Sequence, residues 1–188
     1  MTNLSTTQNV FSISDAKIAR VTVNTPAAYT VGSLMDLPEL SSLDVTIKKE
    51  EKQATYGAGK IADSFTIITG LEVKFESVNI PLDVISAING STVNATANAT
   101  RIEDKSTQVP GLFALAFKTD YVNGEVADFH ETIHCVKGIL DVISKADDYW
   151  TCSFEGTAVE RKVDKSLRII DGHKAVTPIS ITSTSASS

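Results

Sequence analysis

Apolar and polar residues alternate with a period of two along most of the chain. In residues 17–24, apolar Ala19, Val21 and Val23 stand at every second position. Because successive side chains on a β-strand point to opposite faces, this alternation is typical of strands that are buried on one face. The same alternation, or an apolar and aromatic composition that favours strands, recurs in residues 43–48, 71–76, 112–118 and 149–154.

One segment breaks this pattern and predicts a helix. Residues 81–90 begin with Pro81, continue with apolar residues at helical spacing and end at Gly90. Proline favours the first turn of a helix, and glycine favours its C-terminal end. We therefore expect a mainly β fold, a sandwich or barrel of two antiparallel sheets with one short α-helix packed on it.

The two ends of the chain differ in composition from the region between them. Residues 1–14 and 177–188 are rich in Ser, Thr or Asn, and such segments bury too little apolar surface to order themselves. We expect a flexible N-terminal arm over 1–14, one β domain over 15–176 and a flexible C-terminal tail over 177–188.

Charge and hydropathy disfavour several classes of protein. The net charge of -6 disfavours a nucleic-acid reader held by phosphate contacts, but it suits a surface past which DNA slides. No apolar run approaches the roughly 20 residues of a membrane span, and the first residues lack the character of a secretory signal. We therefore expect synthesis in a cytoplasm. In that reducing compartment Cys135 and Cys152 are expected to be small buried apolar residues. A disulfide between them stays an alternative for the finished extracellular particle.

A charged, glycine-containing segment separates two of the predicted strands. The residues between Ile47 and Phe65 read KKEEKQATYGAGKIADS, and we interpret them as a solvated loop. Connections of this length in compact domains are usually functional or disordered.

One short pattern is associated with catalysis. Residues 130–134 read His-Glu-Thr-Ile-His, which matches the H-E-x-x-H signature of zinc metalloproteases. That chemistry needs a helix, because residues four apart on a strand lie about 13 Å apart and cannot share one Zn²⁺. Glu155 would stand at a plausible distance for a third ligand.

The local sequence around this pattern is divided. The spacing of Phe129, Ile133, Val136, Leu140 and Ile143 fits an amphipathic helix. An Asn-Gly turn just upstream, several β-branched residues and a central glycine favour a hairpin strand instead. We favour the strand, with both histidines at the surface or at an interface. In that case we expect no catalytic residue, metal or cofactor.

The order of the segments resembles the major tail-tube proteins of long-tailed bacteriophages, over residues 16–156. Residues 15–40 resemble the family's opening strand and its Pro- and Gly-containing linker. A strand–loop–strand core follows, and the sequence IPLDVISAING over 80–90 resembles the family's short helix. Residues 111–161 resemble a closing hairpin and a last strand that ends in Gly-Thr. Each motif is degenerate, so the resemblance rests on their order and spacing.

The resemblance implies the tail-tube fold and a structural role in the virion tail. Such subunits form hexameric rings that stack into a tube whose lumen is a continuous β-barrel, the conduit for DNA ejection into the host. The implied partners are further copies of the chain, a tape measure protein in the lumen, and tail terminator and baseplate or tip proteins. DNA passes without specific binding. The resemblance also places residues 130–134 on a strand.

Two sets of candidate site residues follow from this interpretation. Contacts between subunits or rings are expected in the charged loop, at Lys48, Lys49, Glu50, Glu51, Lys52, Tyr56 and Lys60. Lumen-facing residues are expected at alternate positions of two hairpins: Glu72, Lys74, Glu76 and Glu131. An error of one residue in the register would invert the face.

Two other functions stay open at this point. One is a small zinc metallopeptidase that uses the H-E-x-x-H pattern. The other is a monomeric β-sandwich module for virion decoration or adhesion, which would bind a glycan or a capsid.

Overall fold

A computed structural model describes residues 9–56, 60–122, 128–143 and 150–186. Within these residues the chain forms strands and one helix. The strands are β1 (Asn9–Asn24), β2 (Ala28–Asp36), β3 (Leu40–Tyr56), β4 (Lys60–Val78), β5 (Thr92–Ala95), β6 (Thr100–Glu103), β7 (Phe113–Val122), β8 (Asp128–Ile143), β9 (Thr151–Ala158), β10 (Arg168–His173) and β11 (Thr184–Ser185), and the helix is α1 (Leu82–Asn89).

Most strands belong to one curled antiparallel sheet. Its order is β11-β2-β1-β7-β8-β9-β4-β3, with β10 paired to the first half of β8, and β5 and β6 form a separate two-stranded sheet. The predicted mainly β class with one helix is confirmed. The predicted division into two antiparallel sheets takes the form of one large sheet and one small one.

The core lies on one face of the curled sheet, under α1. Strands β4, β9, β8, β7 and β1 each contribute alternate apolar side chains to it, and α1 contributes Val84, Ile85 and Ile88. Phe75 and Phe154 stack at 4.8 Å between ring centroids at its centre. The alternation of apolar and polar residues in the sequence therefore identifies the side of each strand that faces the core, because the apolar residues at alternate positions enter one cluster.

A β-bulge in β8 keeps this face continuous. Leu115 pairs with Ile133 and Phe113 pairs with Val136, so β8 carries one residue more than β7 between these pairs. Cys135 lies at the bulge with a φ of 50°. Such a bulge shifts the alternation by one residue. As a result, both Ile133 and Val136 enter the core, although one position is odd and the other even.

The predicted helix is confirmed, and its ends have the expected chemistry. α1 begins directly after Pro81 and is followed by Gly90, whose φ of 73° lies in the left-handed region that favours glycine. The Gly90 N–H donates to the Ser86 carbonyl at 2.8 Å. This bond closes the last turn of the helix, whose Val84, Ile85 and Ile88 enter the core. No helix in the described part of the chain has the length and apolarity to span a membrane.

Parts of both ends that were predicted to be flexible pair with the large sheet. β1 begins at Asn9 and pairs with β7 from there, and residues 1–8 lie outside the described residues. Residues 177–186 run from Asp128 on β8, which accepts the Thr177 N–H, to the edge of β2, which pairs with β11, and Ile179 between these two contacts is buried. The predicted Asn123-Gly124 turn and residues 187–188 also lie outside the described residues. Cys135 and Cys152 are buried free thiols.

Candidate functional site

The predicted charged loop is a β-ribbon, and this corrects the sequence interpretation. β3 and β4 stay paired far beyond the rest of the sheet, from Leu40–Ser77 to Tyr56–Lys60. Only residues 57–59, which lie outside the described residues, connect the two strands. β9 pairs with β4 no further than Leu71. Residues 49–56 and 60–68 therefore form a two-stranded extension, which we call the ribbon arm.

Each face of the ribbon arm carries an apolar side chain that this chain leaves about half exposed. Lys52 pairs with Phe65 on one face, and Lys49 pairs with Ile68 on the other. Phe65 is 51% exposed and Ile68 is 52% exposed. The predicted contact residues Lys48, Lys49, Glu50, Glu51 and Lys52 are also exposed. For Tyr56 and Lys60 the structure gives the strand pairing alone. A two-stranded ribbon is at best marginally stable in water, so this arm is a surface that gains from a partner.

A register shift marks the base of the ribbon arm. Lys48 pairs with Gly70, whereas the next residue, Lys49, pairs with Ile68, so one residue of β4 is left over. A Cβ at Gly70 would lie 2.9 Å from the Ala158 carbonyl oxygen, so a glycine allows β9 to end close against β4 there. Bulges bend a strand and increase its twist, and this one lies where the ribbon arm leaves the sheet.

Three of the four predicted lumen residues share one polar face of the sheet. Glu72, Lys74 and Glu76 alternate on β4, on the side opposite the core. Lys74 Nζ lies 3.2 Å from a Glu72 carboxylate oxygen and 3.0 Å from one of Glu155 on β9. These two carboxylates raise the pKa of the Lys74 ammonium.

The polar sheet face extends over four strands, β3, β4, β9 and β8. Its charged residues are Asp44, Glu72, Glu76, Asp141 and Glu155 with Lys48, Lys74 and Lys137. Carboxylates outnumber lysines, so the face has a net negative charge. The polar sheet face is continuous with the base of the ribbon arm through Lys48, whose Nζ donates to Thr157 Oγ1 at 3.3 Å.

Glu131, the fourth predicted lumen residue, does not share this face with the other three. It lies on the core side of β8, opposite Phe117, and only 8% of it is exposed. Burial raises the pKa of its carboxyl, although the Arg168 guanidinium at 3.1 Å acts in the opposite direction. Glu131 therefore holds β10 to β8 through a partly buried ion pair.

The histidines of the H-E-x-x-H pattern lie on β8, as favoured from the sequence, but they are not surface residues. His130 is 7% exposed and His134 is 1% exposed. The intervening Glu131 points to the core side of the strand. The helical arrangement that would bring two imidazoles and a glutamate to one Zn²⁺ is therefore not formed. Among the described residues no group of three His, Cys, Asp or Glu side chains is arranged to hold a metal ion.

His130 belongs to a charged cluster around Asp128, which is fully buried. Asp128 Oδ2 accepts the Thr177 N–H at 2.7 Å and lies 3.3 Å from both Lys118 Nζ and His130 Nε2. Burial alone would raise the pKa of this carboxyl. The Thr177 N–H, Lys118 and His130 outweigh burial and hold the pKa below its usual range. The ring of His173 packs on His130 with centroids 4.5 Å apart.

His134 belongs to a different cluster, around Tyr29. Its ring meets the Tyr29 ring edge-on with centroids 5.4 Å apart. The Arg161 guanidinium lies over Tyr29, 5.2 Å from the centroid, and Nε donates to Asp164 Oδ1 at 3.0 Å. Burial lowers the pKa of His134 to about 4, with a further contribution from Arg161. The imidazole is therefore neutral at pH 7, and it packs as an aromatic side chain.

Sequence reasoning missed the apolar residues of the ribbon arm and the Asp128 cluster. Phe65 and Ile68 lie between the predicted charged loop and the predicted strand over 71–76, and no local pattern shows that they belong to a ribbon outside the core. The glycines around residues 57–59 are the one available signal for a hairpin turn there. The Asp128 cluster has no local signal, because Lys118 and Thr177 reach it from distant parts of the chain.

Comparison with known proteins adds no relative to this description. No protein-family model matches the chain, and no curated protein matches it significantly.

Proposed function

We propose that the chain is a structural virion protein whose copies assemble into stacked hexameric rings, the tail tube of a long-tailed bacteriophage. The observation that carries the proposal is the ribbon arm: two strands that have no further sheet neighbour among the described residues, with Phe65 and Ile68 about half exposed on opposite faces. Exposed apolar surface of this kind marks an interaction site. A ribbon that extends away from its own core is suited to contact another subunit.

The edges of the large sheet support assembly with further copies. Among the described residues, β3 has no strand neighbour other than β4, and most of β2 has none on its outer side. An unpaired edge strand presents backbone N–H and C=O groups that can pair with another chain, so a protein that stays monomeric usually protects its edges. Copies that contact each other head to tail form a ring when the rotation between neighbours closes. In such a ring the edge strands of neighbouring copies can pair, so that the sheets form a closed barrel without free edges.

The polar sheet face supports the role of a conduit. Its excess of carboxylates repels DNA phosphates, so a lumen lined by it would let DNA pass without binding. In the same proposal the tape measure protein occupies this lumen before ejection, and terminator and baseplate or tip proteins close the ends of the tube.

The proposal is tested on the purified full chain by light scattering after size exclusion and by negative-stain microscopy over a range of salt and protein concentrations. Hexamers, rings or tubes are the expected result. A monomer under every condition would contradict the proposal and favour a monomeric decoration or adhesion module, for which glycan and capsid binding are the next measurements. Metal analysis of the same sample tests the peptidase, which requires about one equivalent of zinc.

A further inference from the structure

We infer that residues 177–186, which we call the strap, are an exchangeable strand. In the isolated subunit the strap closes on its own β2 edge, and in the assembly it adds to the β2 edge of a second copy. The inference rests on the proposed self-assembly, but it concerns a different surface from the ribbon arm.

The strap occupies a sheet edge with very few contacts. Thr184 and Ser185 pair with Tyr29 and Ala28, and the Ala186 N–H donates to the Ala27 carbonyl at 2.9 Å. Beyond this point, the outer side of β2 has no strand neighbour among the described residues. The sheet edge is therefore covered along only a small part of its length.

Little burial holds the strap in place. Of its side chains only that of Ile179 is buried, at 4% exposure, and most of the others are exposed. Three further hydrogen bonds hold the strap: Arg161 Nη1 donates to Thr184 Oγ1 at 3.2 Å, Asp128 Oδ2 accepts the Thr177 N–H, and Ser183 Oγ accepts the Val31 N–H at 3.3 Å. Release of the strap breaks a small number of hydrogen bonds and exposes one apolar side chain.

The sequence of the strap suits it to a strand longer than the one it forms. From Ile179 it reads ISITSTSA, with β-branched residues at half of the positions and no charge. Residues of this kind favour strands, and a segment without charge or internal proline is prone to pair with free edges. Yet only Thr184 and Ser185 are paired as a strand within the subunit.

A hinge precedes the strap. Residues 174–176 are exposed between the end of β10 and Thr177, and Val176 is 72% exposed. Every contact made by the strap within one chain can be made to the same residues of another chain. Exchange of an identical element is a low-cost route to association, because the two states share the same contacts.

The inference also gives the association a direction. The strap of one copy on the β2 edge of the next is a head-to-tail contact, the kind that closes into a ring or continues as a filament. Within the isolated subunit the same strap covers part of that edge. The strap in its own subunit therefore competes with the strap of a second copy, and the exchanged form becomes favoured only as the protein concentration rises.

Two variants that each add one cysteine, Ala28→Cys and Ser185→Cys, test the inference, because the native Cys135 and Cys152 are both buried. The two residues are directly paired in the antiparallel ladder, at a Cα separation that a disulfide can span. The variants are mixed as full-length proteins, allowed to associate, oxidised and separated on a non-reducing gel. A disulfide-linked dimer is expected from the mixture and is expected to be absent from either variant alone.

The double variant A28C/S185C gives the reciprocal test. Oxidation at low concentration locks the strap within one chain, and we expect loss of the higher-order species, with recovery after reduction. Formation of that intrachain disulfide also shows that the variant has folded with the strap in place. Normal association of the locked variant, or no linked dimer from the mixture, would overturn the inference.

The outcomes separate this inference from the proposed function. Tubes that form without the linked dimer, or from the locked variant, refute strap exchange and leave the tube subunit standing. A linked dimer from the mixture without rings or tubes supports exchange and counts against the tube. If neither species forms, both proposals fail.

Discussion

The side-chain amide of Asn89 makes the two hydrogen bonds to the Leu140 backbone that a neighbouring strand would otherwise make. Asn89 Oδ1 accepts the Leu140 N–H at 2.8 Å, and Nδ2 donates to the Leu140 carbonyl at 2.9 Å. β7 begins at Phe113, opposite Val136, so it does not reach this part of β8. The last residue of α1 therefore satisfies both backbone groups of a buried strand residue and ties the helix to the sheet.

Asn89→Ala is expected to lower the free energy of unfolding by about 1–3 kcal/mol, because it leaves a buried N–H and carbonyl of Leu140 without a partner. Urea unfolding followed by circular dichroism measures the change. Asn94→Ala, at an exposed position of β5, is the matched control. Equal stability of the two variants would contradict the bracing role of Asn89.

The helix shows how far sequence reasoning extends in this fold. Pro81 and Gly90 act locally, and so the position and both ends of α1 could be predicted. The Asn89–Leu140 hydrogen bonds join residues far apart in the chain, and no local pattern encodes them. Strands that face the core were found for a similar reason, because burial of one face imposes the period of two.

One physical cause explains why the sequence predicts neither the strands of the ribbon arm nor the pairing of the strap. Neither the ribbon arm nor the strap buries one whole face in this chain. Selection for a core therefore leaves no regular apolar alternation in residues 49–56, and the charged sequence there resembles a loop. The strap is rich in Ser and Thr because most of its side chains face solvent, and it resembles a disordered tail. The bulge at Cys135 could not be predicted from the sequence either, since it shifts the alternation by one residue inside a segment that is largely apolar.

A glycine pair makes room for an aromatic ring in the core. Gly138 and Gly156 lie opposite each other on β8 and β9. A Cβ at Gly156 would lie 2.4 Å from Phe154 Cζ and 2.6 Å from the Lys137 carbonyl oxygen. Gly156→Ala is therefore expected to lower the free energy of unfolding by about 1–3 kcal/mol through overpacking.

Thermal and urea unfolding of Gly156→Ala measure this cost. Gly32→Ala is the matched control, since a Cβ there would meet only the Arg20 carbonyl oxygen at an ordinary 3.6 Å. A Gly156→Ala variant as stable as the Gly32→Ala variant would show that the Phe154 ring moves aside without cost.

The Asp128 cluster predicts a loss of stability in acid. Because the pKa of Asp128 is lower in the folded chain than in the unfolded chain, the folded state favours the ionised carboxylate. Its contribution is present above the unfolded pKa and is lost as the pH falls below about 4. Asp128→Asn should reduce stability at pH 7 and flatten the decline in acid. The free energy of unfolding measured from pH 7 to pH 2 tests this.

The exposed Asp141→Asn variant is the control for the Asp128 variant and is expected to keep the wild-type stability at pH 7. If Asp128→Asn also retains the wild-type stability and the full acid decline, the stabilising role of the buried carboxylate is wrong.

The ribbon arm predicts a variant that folds but does not assemble. Phe65→Ser with Ile68→Ser removes both half-exposed apolar side chains, and because each is only half buried, each substitution should cost the monomer about 0.7–1.5 kcal/mol, which leaves it folded. Rings and tubes should be lost in negative-stain images. Val109→Ser, which changes a side chain that is 68% exposed outside the ribbon arm, should assemble normally. Normal tubes from the double variant would remove the ribbon arm from the assembly contacts.

The polar sheet face predicts where DNA can bind once its charge is reversed. Glu76→Lys with Asp141→Lys gives the face more lysines than carboxylates, and the free subunit should then bind DNA in a salt-dependent way. Each new phosphate contact should add about 0.9 to the slope of log K against log salt. If the face lines the lumen, assembly into tubes should abolish binding of long DNA to the tube wall. Binding along the outside of the tubes would place the face on the exterior. The control is a variant with two exposed acids outside the face reversed, Glu160→Lys with Asp171→Lys, measured in both states.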